Sequence, residues 1–146
     1  MSRSGYTEDM DDPWAHIMWR GAVASAIRGK RGQALLKEML ADLDAMPIKG
    51  LVAHELVENE TGAVCALGAV GKARGIDMAP IDPDDSATVA GTFGIAQAMA
   101  QEIVWINDDY GPHKETPEAR FIRVRQWVEC QIKPQEPKSP EPQGET

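Results

Sequence analysis

Apolar residues recur at helical spacing in four stretches of the chain. The clearest stripe has charged residues on the opposite side of the helix and consists of Leu35, Leu36, Met39, Leu40 and Leu43. Similar stripes occupy residues 14–22, 95–106 and 121–132. The spacing predicts an amphipathic helix in each stretch. Glycines at positions 91 and 94 leave open whether residues 83–107 form one kinked helix or two.

The first stripe places its apolar and small residues on one face of a helix that starts near Asp12. Those residues are Trp14, Ile17, Met18, Gly21 and Ala22. Asp12-Pro13, Asp82-Pro83 and Thr116-Pro117 each combine a capping side chain with proline at the first helical position, which predicts three helix starts.

Two short segments between the helical stripes predict a β-hairpin. Leu51–Val57 and Ala63–Leu67 read as strands, and residues 58–62 between them are polar and end in glycine. Residues 68–75 fit a short helix or a loop. The predicted fold is therefore α+β and mainly helical, with four to five helices packed around a small antiparallel β-hairpin.

The ends of the chain differ in composition from its middle. Residues 1–12 are polar and acidic, and residues 134–146 contain four prolines and no large apolar residue. We expect both to be disordered tails of a single globular domain over residues 13–133. No apolar run reaches the length of about 20 residues that a membrane span needs, and we expect no membrane association. Cys65 and Cys130 are too few for a disulfide scaffold, which favours a cytoplasmic protein with reduced thiols.

Acidic residues are concentrated in one block. Residues 76–118 contain nine carboxylates and one lysine, whereas the flanking stretches are mildly basic. We predict that this block steers the protein toward a basic partner, with Asp84, Asp85, Asp108 and Asp109 as contact residues. Solubility and helix capping are the alternative explanation for the same acids.

A short basic cluster, Arg28, Lys30 and Arg31, precedes the second helix. Basic side chains beside free helix N–H groups are suited to binding an anion or a nucleic acid, although a solvated helix–helix linker has the same composition. Direct nucleic-acid binding would need this cluster to meet other basic residues on one surface, namely Lys72, Arg74, Arg120, Arg123 and Arg125.

Each catalytic or metal-binding motif that the sequence suggests lacks a required residue. The segment around Gly71-Lys72 has Ala66 and Ala73 where a phosphate-binding loop needs glycine and a hydroxyl. His54-Glu55 begins a zinc-protease pattern without its second histidine. Cys65 and His54 could face each other across the hairpin, but the surroundings of Cys65 are those of a core strand. We therefore predict no enzyme, no cofactor and no metal.

Residues 89–103 partly match a helix-turn-helix. Ala90, Gly94, Ile95 and Ile103 stand at the expected positions. The second helix of this motif contains Glu102 and neither lysine nor arginine, which disfavours contact with DNA phosphates. A core helix pair explains the pattern without a DNA-reading function.

Two segments carry a resemblance to known proteins. Residues 27–40 (IRGKRGQALLKEML) and 64–77 (VCALGAVGKARGID), together with the last helix containing Trp127, resemble a group of small proteins encoded by bacteriophages and prophages. The resemblance implies a phage-encoded protein in the bacterial cytoplasm. The expected function is non-enzymatic binding to a bacterial host protein or nucleoprotein, for example to inhibit a defence system. The alternative is a nucleic-acid-binding regulatory protein of helix-turn-helix type.

Overall fold

The computed structural model describes residues 3–4 and 13–133 and contains six helices within them. They are α1 (Pro13–Arg28), α2 (Lys30–Ala45), α3 (Ala66–Ala73), α4 (Ser86–Phe93), α5 (Gln97–Asp108) and α6 (Pro117–Gln131). Among the described residues the β-structure is limited to one isolated antiparallel bridge, between Val57 and Val64. The α+β prediction with a β-hairpin is therefore wrong, and the fold is all-helical.

The segment predicted as the hairpin is a loop that is held by scattered backbone hydrogen bonds. Val52 N–H donates to the Val64 carbonyl at 2.9 Å, and Glu58 N–H donates to the Ala63 carbonyl at 2.8 Å. Between them His54 has a left-handed backbone with φ of 71°, which interrupts an extended strand. The second predicted strand ends early because Cys65 caps α3, whose first residue is Ala66. An apolar run that packs on a core need not be a strand, and periodicity alone does not separate the two cases.

The core lies around α2 and α5. Helix α2 packs against α1, α3 and α6, and α5 packs against α1, α3, α4 and α6. Leu36, Met39 and Leu43 of α2 and Met99 and Ile103 of α5 are almost fully buried. The α2 stripe thus faces the core as predicted, with Leu40 at its edge and only partly buried.

Two glycines let backbone segments approach closely. A Cβ atom at Gly32 would collide with the Ala26 carbonyl oxygen, and one at Gly68 would collide with the Leu56 carbonyl oxygen. Gly32 thereby brings the first turn of α2 against the end of α1. Gly68 brings α3 against the loop of residues 51–65.

Two of the three helix starts predicted from a capping residue and a following proline are confirmed. Helix α1 begins at Pro13, and α6 begins at Pro117 with the Thr116 hydroxyl accepting from Ala119 N–H at 3.1 Å. Helix α4 begins later than predicted, at Ser86, because residues 82–85 form a turn in which Asp85 N–H donates to the Asp82 carbonyl at 3.1 Å. Residues 83–107 contain two helices, and Gly94 with φ of 71° forms the turn between them.

Most residues of the two predicted tails, namely 1–2, 5–12 and 134–146, lie outside the described residues. Arg3 and Ser4 are described, and they differ from the prediction because both are buried. Among the described helices, none has the length and hydropathy of a membrane span.

Candidate functional site

A buried polar cluster forms where the end of α5 meets the start of α3. Its centre is Asp108, whose side chain is fully shielded from solvent. The Arg3 guanidinium donates to both carboxylate oxygens, from Nε to Oδ2 at 2.5 Å and from Nη2 to Oδ1 at 2.8 Å. His54 N–H donates to Oδ1 at 3.1 Å, so the same carboxylate also fixes the left-handed residue of the loop.

Asn107 completes the cluster by joining three segments. Its Oδ1 accepts from Ala66 N–H at 3.1 Å at the start of α3, and its Nδ2 donates to the Val52 carbonyl at 2.9 Å and to Asp108 at 2.8 Å. Burial by itself raises the pKa of Asp108, but the hydrogen bonds and charge of Arg3, with smaller contributions from Asn107 and His54, lower that pKa below its ordinary value. The Asp108 carboxylate is thus ionised and paired inside the protein.

Cys65 and His54 do not form a catalytic pair. Cys65 is 1% exposed, and its Sγ accepts from Gly68 N–H at 3.3 Å as the cap of α3. The His54 side chain is 69% exposed, and its Nδ1 lies 3.7 Å from Asp108 Oδ2. A cysteine nucleophile must be accessible to substrate and contact its base. Within the described part of the chain, these side chains also do not converge into a metal-ligand group.

The four predicted acidic contact residues have different environments. Asp84, Asp85 and Asp109 are exposed. Asp85 is the cap of α4, and its carboxylate accepts from Thr88 N–H at 3.1 Å and from the Thr88 hydroxyl at 2.8 Å. Asp108 is buried in the polar cluster and is not available to a partner. Helix capping, which is part of the alternative explanation of the acidic block, accounts for Asp85. The burial of Asp108 in an ion pair belongs to neither explanation.

The predicted basic cluster lies at the junction of α1 and α2. Arg28, Lys30 and Arg31 are exposed there, and Gly29 separates the two helices. Of the five further basic residues that a joint nucleic-acid surface would use, four are paired with acids: Arg74 with Glu38, Arg120 and Arg123 with Glu115, and Arg125 with Asp44 and Glu129. These pairs neutralise the side chains that a joint nucleic-acid surface would need.

The Arg123 pair also has a structural role. The Glu115 carboxylate is 4% exposed and accepts from Arg123 Nε at 2.7 Å and Nη2 at 2.8 Å. The same guanidinium donates from Nη1 to the Ile106 carbonyl at 2.7 Å, near the end of α5. Arg123 hydrogen bonding is the main cause that lowers the pKa of Glu115, and burial acts in the opposite direction.

Helices α4 and α5 are joined by a short turn at Gly94, as the helix-turn-helix pattern predicts, but one face of α5 is covered by α1. The side chain of Glu102 on that face is 4% exposed. Its carboxylate accepts hydrogen bonds from Arg20 Nη1 at 3.0 Å and from Arg20 Nη2 at 2.9 Å. Arg20 belongs to α1, which packs on α5. A recognition helix must reach base edges in the major groove, and α1 obstructs this approach.

An open groove of about 620 Å³ lies between the loop of residues 55–62 and the segment of residues 75–83. Its apolar lining consists of Leu56, Val57, Ile76, Met78 and Ile81. Glu55 and Asp77 supply carboxylates at the lining, and Lys72 supplies a cation. Asp82 and Asp84 are exposed on the adjoining turn.

The groove is not among the sites that the sequence predicts. Asp77 and Asp82 belong to the acidic block, but their position beside Leu56 and Val57 depends on contacts between distant parts of the chain. The poor helical pattern of residues 75–85, with its prolines and aspartates, was the available signal that the segment forms a surface loop.

Comparison of the chain with protein-family models, with curated proteins and with solved structures finds no match.

Proposed function

We propose that this chain is a non-enzymatic, phage-encoded binding protein that docks onto a basic segment of a bacterial host protein or nucleoprotein. The observation that carries the proposal is the groove, which combines an apolar floor with carboxylates at and beside its rim. The phage origin and the bacterial host come from the resemblance of residues 27–40 and 64–77. A protein of a host defence system is one class of partner that this function includes.

The chemistry of the groove favours an amphipathic, positively charged segment. Apolar side chains of such a segment would cover Val57, Ile76 and Met78, and removal of this surface from water supplies affinity. Its lysine or arginine side chains would meet Glu55 and Asp77, which gives orientation and faster association. Lys72 sits at the same lining and would disfavour a uniformly basic ligand such as a polycation.

The groove changes which acids carry the steering function. Asp77 lines the groove, and Asp82 and Asp84 are exposed on the adjoining turn, whereas Asp108 is buried and Asp85 caps α4. The exposed Asp77 and Asp82 carboxylates also accept hydrogen bonds from Ala79 N–H at 3.1 Å and Asp84 N–H at 2.9 Å. The steering surface that we propose is therefore formed by Asp77, Asp82, Asp84 and Glu55.

The experiment is an affinity capture from nuclease-treated bacterial lysate with wild-type protein and charge-reversed proteins. In the first, Asp77→Lys and Asp84→Lys are combined. In the control, Glu118→Lys reverses one exposed acid of α6, away from the groove lining, and it is compared with the single Asp77→Lys protein as well as with the double variant. We expect a captured protein that survives nuclease, is lost with the groove variant and is retained with the control. Its association should slow as salt rises past about 0.15 M, where charges are screened beyond roughly 8 Å.

Equal capture by the wild type and the groove variant would contradict the proposal. Recovery only through nucleic acid, with loss in an Arg28→Glu, Lys30→Glu, Arg31→Glu protein, would instead support the nucleic-acid-binding alternative. The covered face of α5 and the pairing of Arg74, Arg120, Arg123 and Arg125 with acids weigh against that alternative.

A further inference from the structure

A short piece of the N-terminal segment is buried in the polar cluster around Asp108. The Arg3 side chain is 1% exposed and Ser4 is fully buried, although Arg3 and Asp108 are 105 positions apart in the sequence. Of the described residues, those that form the apolar core all lie between positions 19 and 132. Arg3 and Ser4 therefore occupy a site whose walls belong to the helical domain, as a bound peptide would.

The walls of this site are fixed by contacts that do not involve Arg3. Asn107 bridges the start of α3 and the loop of residues 51–65 through hydrogen bonds of 3.1 Å and 2.9 Å. Asn107 Nδ2 and His54 N–H both donate to Asp108 Oδ1, at 2.8 Å and 3.1 Å. These contacts keep the carboxylate oriented when Arg3 is absent, and a preformed acceptor binds a ligand at a lower cost in ordering.

The chemistry of the site selects a guanidinium group. The two carboxylate oxygens of Asp108 accept the Nε and Nη2 donors of Arg3 side by side. A lysine ammonium is a point charge and cannot reproduce this two-pronged contact, so the site should favour arginine over lysine. Within the described part of the chain, Arg3 Nη1 is buried without a hydrogen-bond partner. A buried unpaired donor weakens binding, so Arg3 is a ligand that another arginine can replace.

The site lies close to the protein surface. The His54 imidazole is 69% exposed, and its Nδ1 is 3.7 Å from Asp108 Oδ2. A side chain that enters beside this ring has a short path to the carboxylate. Arg3 is near the end of the chain, so it can leave the site without displacing a helix.

We propose that the cluster around Asp108 is a binding pocket for an arginine side chain of a second polypeptide, and that Arg3 occupies this pocket as an internal competitor. An incoming arginine displaces Arg3 and releases the N-terminal segment from the domain. The pocket is distinct from the groove, because Asp108, Asn107 and His54 are not among the residues that line the groove. The proposal therefore goes beyond the proposed function and does not rest on it.

The first test opens the pocket in the full chain with Arg3→Ala and supplies the arginine as a peptide. The probe is acetylated and amidated Ser-Arg-Ser-Gly, which copies residues 2–5. We expect saturable binding with a Kd on the order of 1 mM, because one buried ion pair on a preformed acceptor gives modest affinity. Peptide at about 10 mM should then raise the folded-to-unfolded ratio about tenfold and the Tm by about 5 °C. The same peptide with lysine in place of arginine should give less than half of that shift.

Three further proteins keep this test specific. Arg74→Ala is the matched control, because Arg74 makes the same two-pronged contact with Glu38 at the surface, and the peptide should leave the Tm of this variant unchanged. Arg3→Ala combined with Asp108→Asn should not respond, because the pocket has lost its charge. Arg3→Lys replaces Arg3→Ala if circular dichroism shows that the alanine variant does not fold, and its Tm should rise with the arginine peptide because the guanidinium displaces the ammonium.

The second test observes competition in the wild type. The tethered Arg3 is present at a high effective concentration, so the same peptide should bind with a Kd at least about tenfold higher than in Arg3→Ala. In nuclear magnetic resonance spectra of protein with isotope-labelled arginine, the Nε–H signal of Arg3 should exchange slowly because the group is buried. This signal should decrease in step with peptide binding.

The outcomes that would overturn the pocket are the absence of a saturable shift in the Arg3 variants, equal shifts with the arginine and lysine peptides, or an equal shift in the protein that also carries Asp108→Asn. Peptide binding to the wild type with an unchanged Arg3 signal would overturn the competition. Sedimentation distinguishes the sources of the arginine: a wild-type dimer that Arg3→Ala does not form assigns it to a second copy of this chain, and a monomer assigns it to a partner protein. The groove variants alter no residue of the pocket, so failure of the two proposals is distinguishable.

Discussion

The pairing of Arg3 with Asp108 makes a prediction that separates two views of the N-terminal segment. From the sequence, residues 1–12 should be dispensable for folding. In the structure, the Arg3 side chain is 1% exposed. Its Nε donates a hydrogen bond to Asp108 Oδ2 at 2.5 Å, and its Nη2 donates to Asp108 Oδ1 at 2.8 Å. We propose Arg3→Met as the perturbation, because methionine keeps an apolar stem and removes the charge.

The expected cost follows from what Asp108 loses and what it keeps. Breaking a buried ion pair from one side costs about 3–5 kcal/mol. Asp108 Oδ1 retains hydrogen bonds from His54 N–H and Asn107 Nδ2, which lessens the penalty. We therefore expect Arg3→Met to lower the free energy of unfolding by about 3 kcal/mol and the Tm by about 10 °C. Removal of residues 1–12 should cost a similar amount, because it removes Arg3.

The measurement is urea unfolding followed by circular dichroism, with Arg74→Met as the control. Arg74 makes the same two-pronged contact with Glu38, but the two side chains are 33% and 36% exposed, so its loss should cost below about 1 kcal/mol. Equal small effects of Arg3→Met and Arg74→Met would show that Arg3 does not stabilise the fold and would refute this reasoning.

The pH dependence provides a further check on the same pair. Arg3 helps to lower the pKa of Asp108 in the folded protein below its ordinary value of 3.8. The unfolded chain then binds a proton more readily, so the stabilisation is present above the ordinary pKa and is lost as pH falls through the lowered one. Arg3→Met should weaken this acid-dependent loss at Asp108. An unchanged difference between wild type and variant from pH 6 to pH 2 would contradict the assignment.

Further predictions concern the packing of the core and a second ion pair. Leu36→Ala should destabilise the protein by about 2–5 kcal/mol in urea unfolding, because Leu36 is fully buried, and a cost below about 0.5 kcal/mol would place it at the surface. Gly68→Ala should lower the free energy of unfolding by about 1–3 kcal/mol, because its Cβ would collide with the loop backbone. Gly91→Ala is the control and should be neutral or stabilising by up to about 1 kcal/mol, because its Cβ meets open space within α4. Similar thermal shifts for the two variants would refute the close approach of α3 to the loop. Glu115→Gln should lower the free energy of unfolding at neutral pH and have less effect in acid, because the pKa of Glu115 is lowered in the folded protein and its stabilisation is lost as pH falls. Thermal unfolding from pH 7 to pH 3 measures this effect. A cost that does not depend on pH would argue against the ion pair with Arg123.

The sequence by itself determined the helices whose signals are local. The α2 stripe, the proline at the start of α1, and the Thr116-Pro117 start of α6 depend on side chains within one or two turns, and the structure has them where the pattern predicts. These signals work because helix spacing and capping are properties of neighbouring residues.

Only the tertiary structure decided which apolar runs and which charges serve the fold. The run at residues 51–57 is a loop because Asp108 and Asn107, more than 50 positions away, hold its backbone. The α1 stripe is exposed at Ile17 and Met18, although its spacing resembles that of a buried face. Asp84 and Asp85 are adjacent in the sequence and both exposed, yet it is the Asp85 carboxylate that caps α4. Burial and pairing depend on what the rest of the chain places against a residue, and a one-dimensional pattern does not contain that information.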